Sequence, residues 1–432
     1  MRTFTIIWLG QLVSTIGSYM SEFALSIWAW QLTQSATALA LVALFSQLPR
    51  IPMTLFAGAI ADRFNRKGLM MLGDAIAAIS TLAILSLYFT DNLQIWHLYL
   101  ISAIKGGFEQ LQWLAYETSL TMIVPQRHYT RASSMGSMVH YGSSILSPAL
   151  AGSLYPVIGL VGILLVDLAT FVCAIASLVF VRIPQPSRPT DNPNPETIWQ
   201  EIASGYHYIL IRPGLCALLT VTALFWFAHD IGAALYDPMI LARTGGDALV
   251  LGTVGAAAGV GGVAGALILS AWGGFKRRLD GVLLGFIGAG LSKTAFGFGQ
   301  TLKVWIPAQF CSSSNFPLLG SHQTAIWLAQ VAPAMQGRVF AAKSLVLQVV
   351  SAIATLIAGP LADRIFEPAM MSGGVLAPFL GGIFGTGRGA GMALLYVIAS
   401  VSLLLVGVGG YALPVLRGVE DGGVTDSDAF NV

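Results

Sequence analysis

The sequence predicts an all-α membrane protein, with twelve transmembrane helices in two pseudo-symmetric six-helix bundles. Three observations predict it. Charged residues are scarce: 22 Lys and Arg plus 20 Asp and Glu in 432 residues, or 10%, where a soluble domain carries roughly 25%. Apolar runs longer than the ~18 residues that read as a membrane span recur along the chain. A stretch of the first half also reappears in the second. A chain that is 55% hydrophobic is neither disordered, nor a collagen, nor an ordinary cytosolic enzyme. The net charge of +2 gives no argument for a nucleic-acid partner; the partner expected is the lipid bilayer.

The runs, bounded by Gly, Pro or charge, fall near 4–31, 36–60, 68–90, 96–124, 129–155 and 159–183, then near 213–241, 248–272, 280–300, 304–332, 338–361 and 390–414. Between the two sets lies IPQPSRPTDNPNPE, a Pro-rich polar linker. The expected division is an N-terminal bundle over 1–183, a cytoplasmic linker with a surface helix over 184–212, a C-terminal bundle over 213–415 and an acidic tail over 416–432. The start, MRTFTIIWLG, has no A-x-A-like cleavage site and reads as a retained first helix. TIWQEIASGYHYILI has an apolar stripe and a polar face, which suits a helix lying on the membrane surface. Cys173, Cys216 and Cys311 fall in apolar runs and read as buried thiols, with neither a disulfide framework nor a metal site. Trp28, Trp30, Trp96 and Trp305 read as an outer aromatic belt.

Orientation follows from Lys and Arg. With the N-terminus inside, 14 basic residues fall on the cytoplasmic side and 4 outside, so both termini are expected in the cytoplasm of a multi-pass cell-membrane protein. The halves repeat. RASSMGSMVHYGSSILSPALAGSL begins at Arg131 and RVFAAKSLVLQVVSAIATLIAGPL at Arg338, an offset of 207. Phe64-Asn-Arg-Lys likewise meets Phe275-Lys-Arg-Arg. Two parallel six-helix copies form a transporter architecture whose substrate site lies near the midplane.

The strongest local signal joins spans 2 and 3, Gly58-Ala-Ile-Ala-Asp62-Arg63-Phe-Asn-Arg66-Lys67. Its small residues allow close helix approach, and its Asp suits the positive end of a neighbouring helix. The string resembles the G-x-L-x-D-R-x-x-R-K/R loop of the major facilitator superfamily. Together with the spans, the duplication and the linker, the resemblance covers the chain. It implies the major facilitator fold and alternating access, with Gly58, Asp62, Arg63, Arg66 and Lys67 as a gating loop near Gly337 and Arg338. QWLAYETSLTMIVPQRHYTRASSM and MQGRVFAAKSLVL look like junctions of the macrolide-efflux-like exporters. Ser147-Pro148-Ala-Leu-Ala-Gly152 resembles a degraded G-P-x-x-G-G antiporter motif; a Pro amid small residues also serves bending and packing alone. The second basic turn, Gly273-Gly-Phe-Lys276-Arg277-Arg278, lacks the Asp. Gly359-Pro-Leu-Ala-Asp363-Arg364 reads as a helix terminus, and the glycines of span 8 as packing.

Ionisable residues inside spans are costly and are candidates for function. Gln11, Ser14, Ser18, Ser21 and Glu22 fall within an arc of about 140° at ~100° per residue, a face for water or protein. Lys105 and Glu109 are i,i+4 and Gln112 continues that face. Asp230 follows His229 in span 7, and span 10 offers Ser312, Ser313, Ser314 and Asn315. The resemblance implies that spans 1, 4, 7 and 10 line the cavity. Proton-coupling candidates are Glu22, Asp230 and His140; cavity candidates are Gln11, Ser18, Lys105, Glu109, Gln112, Trp113, Trp226 and Asn315. Glu22 and Asp230 have no cation one turn away on their own helices and rank first. Arg50 suits a carboxylate or an anionic substrate. Asp74 is expected in the network of the basic loop, and Asp167, Lys293 and Lys343 in structural roles. Trp327, like Trp113 and Trp226, suits either stacking on a substrate or the core.

No G-x-x-x-x-G-K-[ST], H-E-x-x-H, G-x-S-x-G or C-x-x-C occurs, so no P-loop or zinc-hydrolase chemistry is indicated. The expected protein is not an enzyme and needs no cofactor beyond a proton gradient. The expectation is a monomeric secondary transporter that exports an amphiphilic small molecule such as a drug, macrolide, peptide or siderophore-like metabolite. Uptake or flipping of a nutrient or lysolipid, and a transport-inactive sensor or scaffold, are the alternatives.

Overall fold

The computed structural model describes residues 2–55, 64–124, 129–181 and 198–420. Among them every regular element is helical, as backbone groups facing lipid require. The helices are α1 (Arg2–Thr33), α2 (Ala36–Gln47), α3 (Arg66–Phe89), α4 (Ile95–Ile123), α5 (Tyr129–Val179), α6 (Ile198–Leu210) and α7 (Pro213–Thr244). They continue with α8 (Ala248–Trp272), α9 (Arg278–Phe298), α10 (Leu302–Gln330), α11 (Gln336–Leu361), α12 (Ala377–Phe384) and α13 (Ala390–Ala412).

Local chemistry sets several starts. The Ser35 side chain accepts from the Ala38 amide at 3.2 Å, and the Asn65 side chain from the Gly68 amide at 3.1 Å, each satisfying an orphan donor at a helix N-terminus. α5 has 51 residues, roughly 75 Å at ~1.5 Å per residue against a ~30 Å hydrocarbon core. It is two crossings, broken at Gly159, whose φ of 64° and ψ of −170° suit only glycine. Eight described helices are long and apolar enough to cross a membrane. α1, α4 and α10, with 32, 29 and 29 residues, match them in length but carry more polar side chains. The set is consistent with twelve crossings.

The chain divides into two compact units, Met1–Pro193 with Ile240–Gly259, and Asn194–Met239 with Val260–Val432. The end of α7 and the first half of α8 therefore group with the first unit. Glycine makes this possible. A β-carbon on Gly152 of α5 would lie 2.8 Å from the Gly252 Cα of α8, and one on Gly255 would lie 2.7 Å from the Pro148 ring. Ser147 is buried and donates to the Ile16 carbonyl at 3.0 Å. The antiporter-like string thus stands at a close helix contact within this unit.

In the second unit, Phe225, Phe286, Trp327, Leu319 and Leu403 form the core. α6 departs from expectation. Its apolar stripe (Ile202, Tyr208, Ile209) is buried by protein. Tyr208 Oη donates to the Gln330 carbonyl at 3.3 Å and accepts from the Ala332 amide at 3.2 Å. An amphipathic pattern is the same whether lipid or protein covers it. α11 does not end at Asp363 and Arg364. A π-helical turn over Ala362–Phe366 carries the helix on to Met370, and the Glu367 carboxylate accepts from the Met392 amide at 2.9 Å. Trp30 and Trp305 are buried inside the protein, where no belt residue sits. Cys173 and Cys311 are exposed, not buried, because apolar runs face lipid as well as core.

The tail is docked further than expected. Leu416 and Val419 are buried, and Glu420 accepts from the Leu279 amide at 2.5 Å and the Arg278 amide at 3.3 Å. Arg277, at the N-cap of α9, supplies no capping side chain. The acid missing from the second basic turn therefore comes from 141 to 142 positions away. Glu420→Ala should lower stability by roughly 0.5–2 kcal/mol, the usual cost of a lost N-cap. Thermal unfolding in detergent checks this; an unchanged midpoint would show that the contact carries no stability.

Candidate functional site

The first unit holds a cavity of about 390 Å³. α1 contributes Gln11, Ser14, Thr15, Ser18, Tyr19 and Glu22, and α4 contributes Glu109, Gln110, Gln112, Trp113 and Tyr116. Arg50, Asp74 and Phe171 complete the principal wall. The polar arc of α1 and the polar face of α4 meet here, because a polar stripe on a membrane helix is costly against lipid and is stable against water or protein.

Four charges are chained along this wall. Lys105 Nζ lies 3.0 Å from Glu22 and 3.4 Å from Glu109, and Arg50 lies 2.8 Å from Glu109. The i,i+4 pairing of Lys105 with Glu109 is present, and Arg50 takes a carboxylate partner. Glu22, without a cation on its own helix, receives one from α4. Its side chain is 53% exposed and that of Lys105 16%, so water hydrates the carboxylate while the ammonium is largely enclosed. The ranking of Glu22 above Glu109 for want of a cation therefore loses its physical basis.

A second polar group lies beside the first. Gln112 Nε2 donates to Asp74 Oδ1 at 2.6 Å and to Gln11 Oε1 at 3.2 Å, and Gln11 Nε2 donates to Asp74 Oδ2 at 3.4 Å. Among the described residues, Asp74 thus bonds to amides of α1 and α4. In that loop Lys67 donates to the carbonyls of Val179 and Val181 at 3.1 and 2.8 Å, a cation at a helix C-terminus. Asp167 accepts from Thr81 at 3.0 Å and Ser18 at 3.4 Å. Ser18 therefore serves both the cavity and this buried acid. The Trp113 and Tyr116 rings pair at 5.7 Å and give the cavity an apolar, polarizable side.

In the second unit His229 Nδ1 and Asp230 Oδ1 are 3.0 Å apart. Trp226, Phe225 and Phe316 surround that imidazole, with centroids 4.9, 6.1 and 5.1 Å away. Lys293 is buried, with its ammonium 5.7 Å from the Tyr396 ring centroid. Lys343 lies 5.1 Å from the Trp327 ring, and Trp327 is wholly buried, which assigns that Trp to the core. Asn315 donates to the Cys311 carbonyl one turn back at 2.7 Å. Gly58, Asp62 and Arg63 lie outside the described residues, as does the His140 side chain. Arg338 is in the first turn of α11.

The residues that sequence reasoning placed elsewhere are Asp74 and Asp167. Their partners are 38 to 149 positions distant, beyond any helical period. The available signal was that Gln11, Gln112 and Asp74 are all uncharged-donor or acceptor side chains at similar predicted depth.

A model of the family described as "Transmembrane secretion effector" matches residues 1–312. The chain is 26% identical to macrolide efflux protein A of Streptococcus pyogenes over 366 residues, 84% of this chain and 90% of that one. It is 24% identical to the multidrug efflux pump Tap of Mycolicibacterium fortuitum, over 89% of each. Among solved structures, a bacterial homologue of the human lysosomal transporter Spinster superposes with a TM-score of 0.65 at 17% identity over 97% of each chain, a likeness of fold. The chain belongs to the transmembrane secretion effector family of major facilitator transporters, and is a multi-span membrane protein of a transport family, not an enzyme.

Proposed function

We propose that the protein exports an amphiphilic small molecule across the cell membrane, by alternating access and at the expense of a proton gradient, without a cofactor. The observation that carries this reading is the first-unit cavity, where Trp113, Tyr116 and Phe171 share a wall with the carboxylates of Glu22, Asp74 and Glu109 and the guanidinium of Arg50. Aromatic faces suit the apolar body of a drug-like molecule, and the charges suit its polar end. Relatives named for macrolide and multidrug efflux support export over uptake. Without a nucleotide motif, uphill movement draws on an ion gradient, and a proton needs only a carboxylate.

The test is accumulation of a panel of macrolides, peptides and siderophores in cells with and without the protein. Lower accumulation of at least one compound, abolished by an uncoupler, is the expected result. Equal accumulation of all would refute export, and higher accumulation would point to uptake.

The 14 to 4 bias of basic residues places both termini in the cytoplasm in this reading. With Cys173, Cys216 and Cys311 replaced by Ser, single cysteines at Asn92 and Ser372 should react with an impermeant maleimide on intact cells, and one at Asn192 should not. Labelling at Asn192 would end the twelve-span arrangement.

A further inference from the structure

We infer that Asp74 is the carboxylate of the first-unit cavity that takes up and releases the coupled proton; this rests on the proton-coupled reading above. The argument is a count of charges. Glu22, Lys105, Glu109 and Arg50 form a chain of two anions and two cations in contact. Its sum is zero. A proton on Glu22 or Glu109 would leave two cations sharing one carboxylate. Neutralising a carboxylate of the chain leaves the largely enclosed Lys105 ammonium, 16% exposed, short of a partner.

Asp74 is placed differently. It lies on the cavity wall with 1% of its surface exposed. Its bonding partners are the amides of Gln11 and Gln112, and among the described residues no cation forms an ion pair with it. Among the described residues, the charged or titratable groups that share the cavity wall with it are Tyr19 and Glu22 of α1, Arg50 beyond α2, and Glu109 and Tyr116 of α4; α4 and α5 add Lys105 and Asp167, and its own helix begins with Arg66 and Lys67. Lys105 and Arg50 are already committed. Uptake of one proton by Asp74 changes a lone negative charge to none.

The hydrogen bonds allow both states. Oδ1 holds the short 2.6 Å bond from Gln112, and Oδ2 the longer 3.4 Å one from Gln11. Oδ2, the more weakly bound oxygen, is the one assigned the proton. The resulting O–H needs an acceptor, and a half-turn of the Gln11 amide presents its carbonyl oxygen there; that turn gives up the 3.2 Å bond from Gln112, whose Nε2 keeps its shorter bond to Oδ1. Amide orientation is interchangeable in shape and is set by the hydrogen-bond network. The proton leaves by the reverse path, so no heavy-atom bond forms or breaks. Asp167, the other buried carboxylate among the described residues of this unit, bonds to the Thr81 and Ser18 hydroxyls and is not among the cavity-wall residues.

The test needs no substrate. Acid-minus-alkaline infrared difference spectra of the purified full-length protein report the carboxylic-acid stretch. Asp74→Asn should delete one component of that band, while Glu22→Gln, Glu109→Gln and Asp167→Asn retain it. In Gln112→Leu the same component should shift, because its carbonyl loses a donor. A band unchanged in Asp74→Asn and in Gln112→Leu, or a component lost in Asp167→Asn instead, would overturn the assignment. Gln112→Leu keeps the test valid if Asp74→Asn does not fold. A second arm uses a radiolabelled macrolide in proteoliposomes: Asp74→Asn should retain exchange and lose pH-driven accumulation. If the wild type moves no macrolide, that counts against the export reading, and the infrared result still decides the proton site.

Discussion

Lys105→Met will cut active export roughly 30-fold while leaving the protein in the membrane. The ammonium bridges Glu22 and Glu109 at 3.0 and 3.4 Å, so its removal takes the cation from Glu22 and leaves Glu109 with Arg50 alone. Breaking a fully buried ion pair costs roughly 3–5 kcal/mol. Here the Glu22 side chain is 53% exposed and that of Glu109 30%, so hydration reduces the cost. An effect of about 2 kcal/mol is ~30-fold in a rate. Lys105→Arg should recover part of the activity, since charge remains but the compact donor geometry does not. Adding Glu22→Gln to Lys105→Met should recover stability relative to Lys105→Met alone, as coupling through a shared contact requires. Thermal unfolding and drug accumulation across this cycle provide the check; additive losses would mean that the charge chain is incidental.

Gly265→Leu will prevent folding, and Gly262→Leu will not. A β-carbon on Gly265 of α8 would run into the Ser314 carbonyl of α10, and one on Gly261 into the Phe310 carbonyl. Each pair is four residues apart, hence on one helix face, and small residues so spaced let membrane helices meet backbone to backbone. Filling a tight core costs roughly 1–3 kcal/mol, occasionally more, and here a backbone must move. Gly262 has nothing within 4 Å of its β-carbon position. Size-exclusion profiles of fluorescent fusions should show a monodisperse peak for Gly262→Leu and loss of it for Gly265→Leu. Equal behaviour would contradict the packing described.

The fold was legible where one-dimensional pattern decides it. Apolar runs and their Gly and Pro boundaries located the helices, since a membrane forbids most alternatives. The same arithmetic put Gln11, Ser18 and Glu22 on one face of α1, and Lys105, Glu109 and Gln112 on one face of α4. What the pattern lacks is rotation between helices. The Lys105–Glu22 contact spans 83 positions and the Gln11–Asp74 bond 63, so the cation on Glu22 and the amides on Asp74 were out of reach. The stripe of α6 and the rings of Trp30 and Trp305 show a second limit. Hydrophobicity announces burial in something apolar and does not say whether lipid or protein supplies it.

Proton coupling is tested most directly in liposomes holding the purified protein, with an acidic interior and a pH dye inside. The compound is the one found by the cell panel. The account predicts accumulation above that in protein-free liposomes, with protons leaving the lumen in step, and loss of both in Asp74→Asn. Accumulation indifferent to the pH gradient, or accumulation unaccompanied by proton efflux, would contradict it.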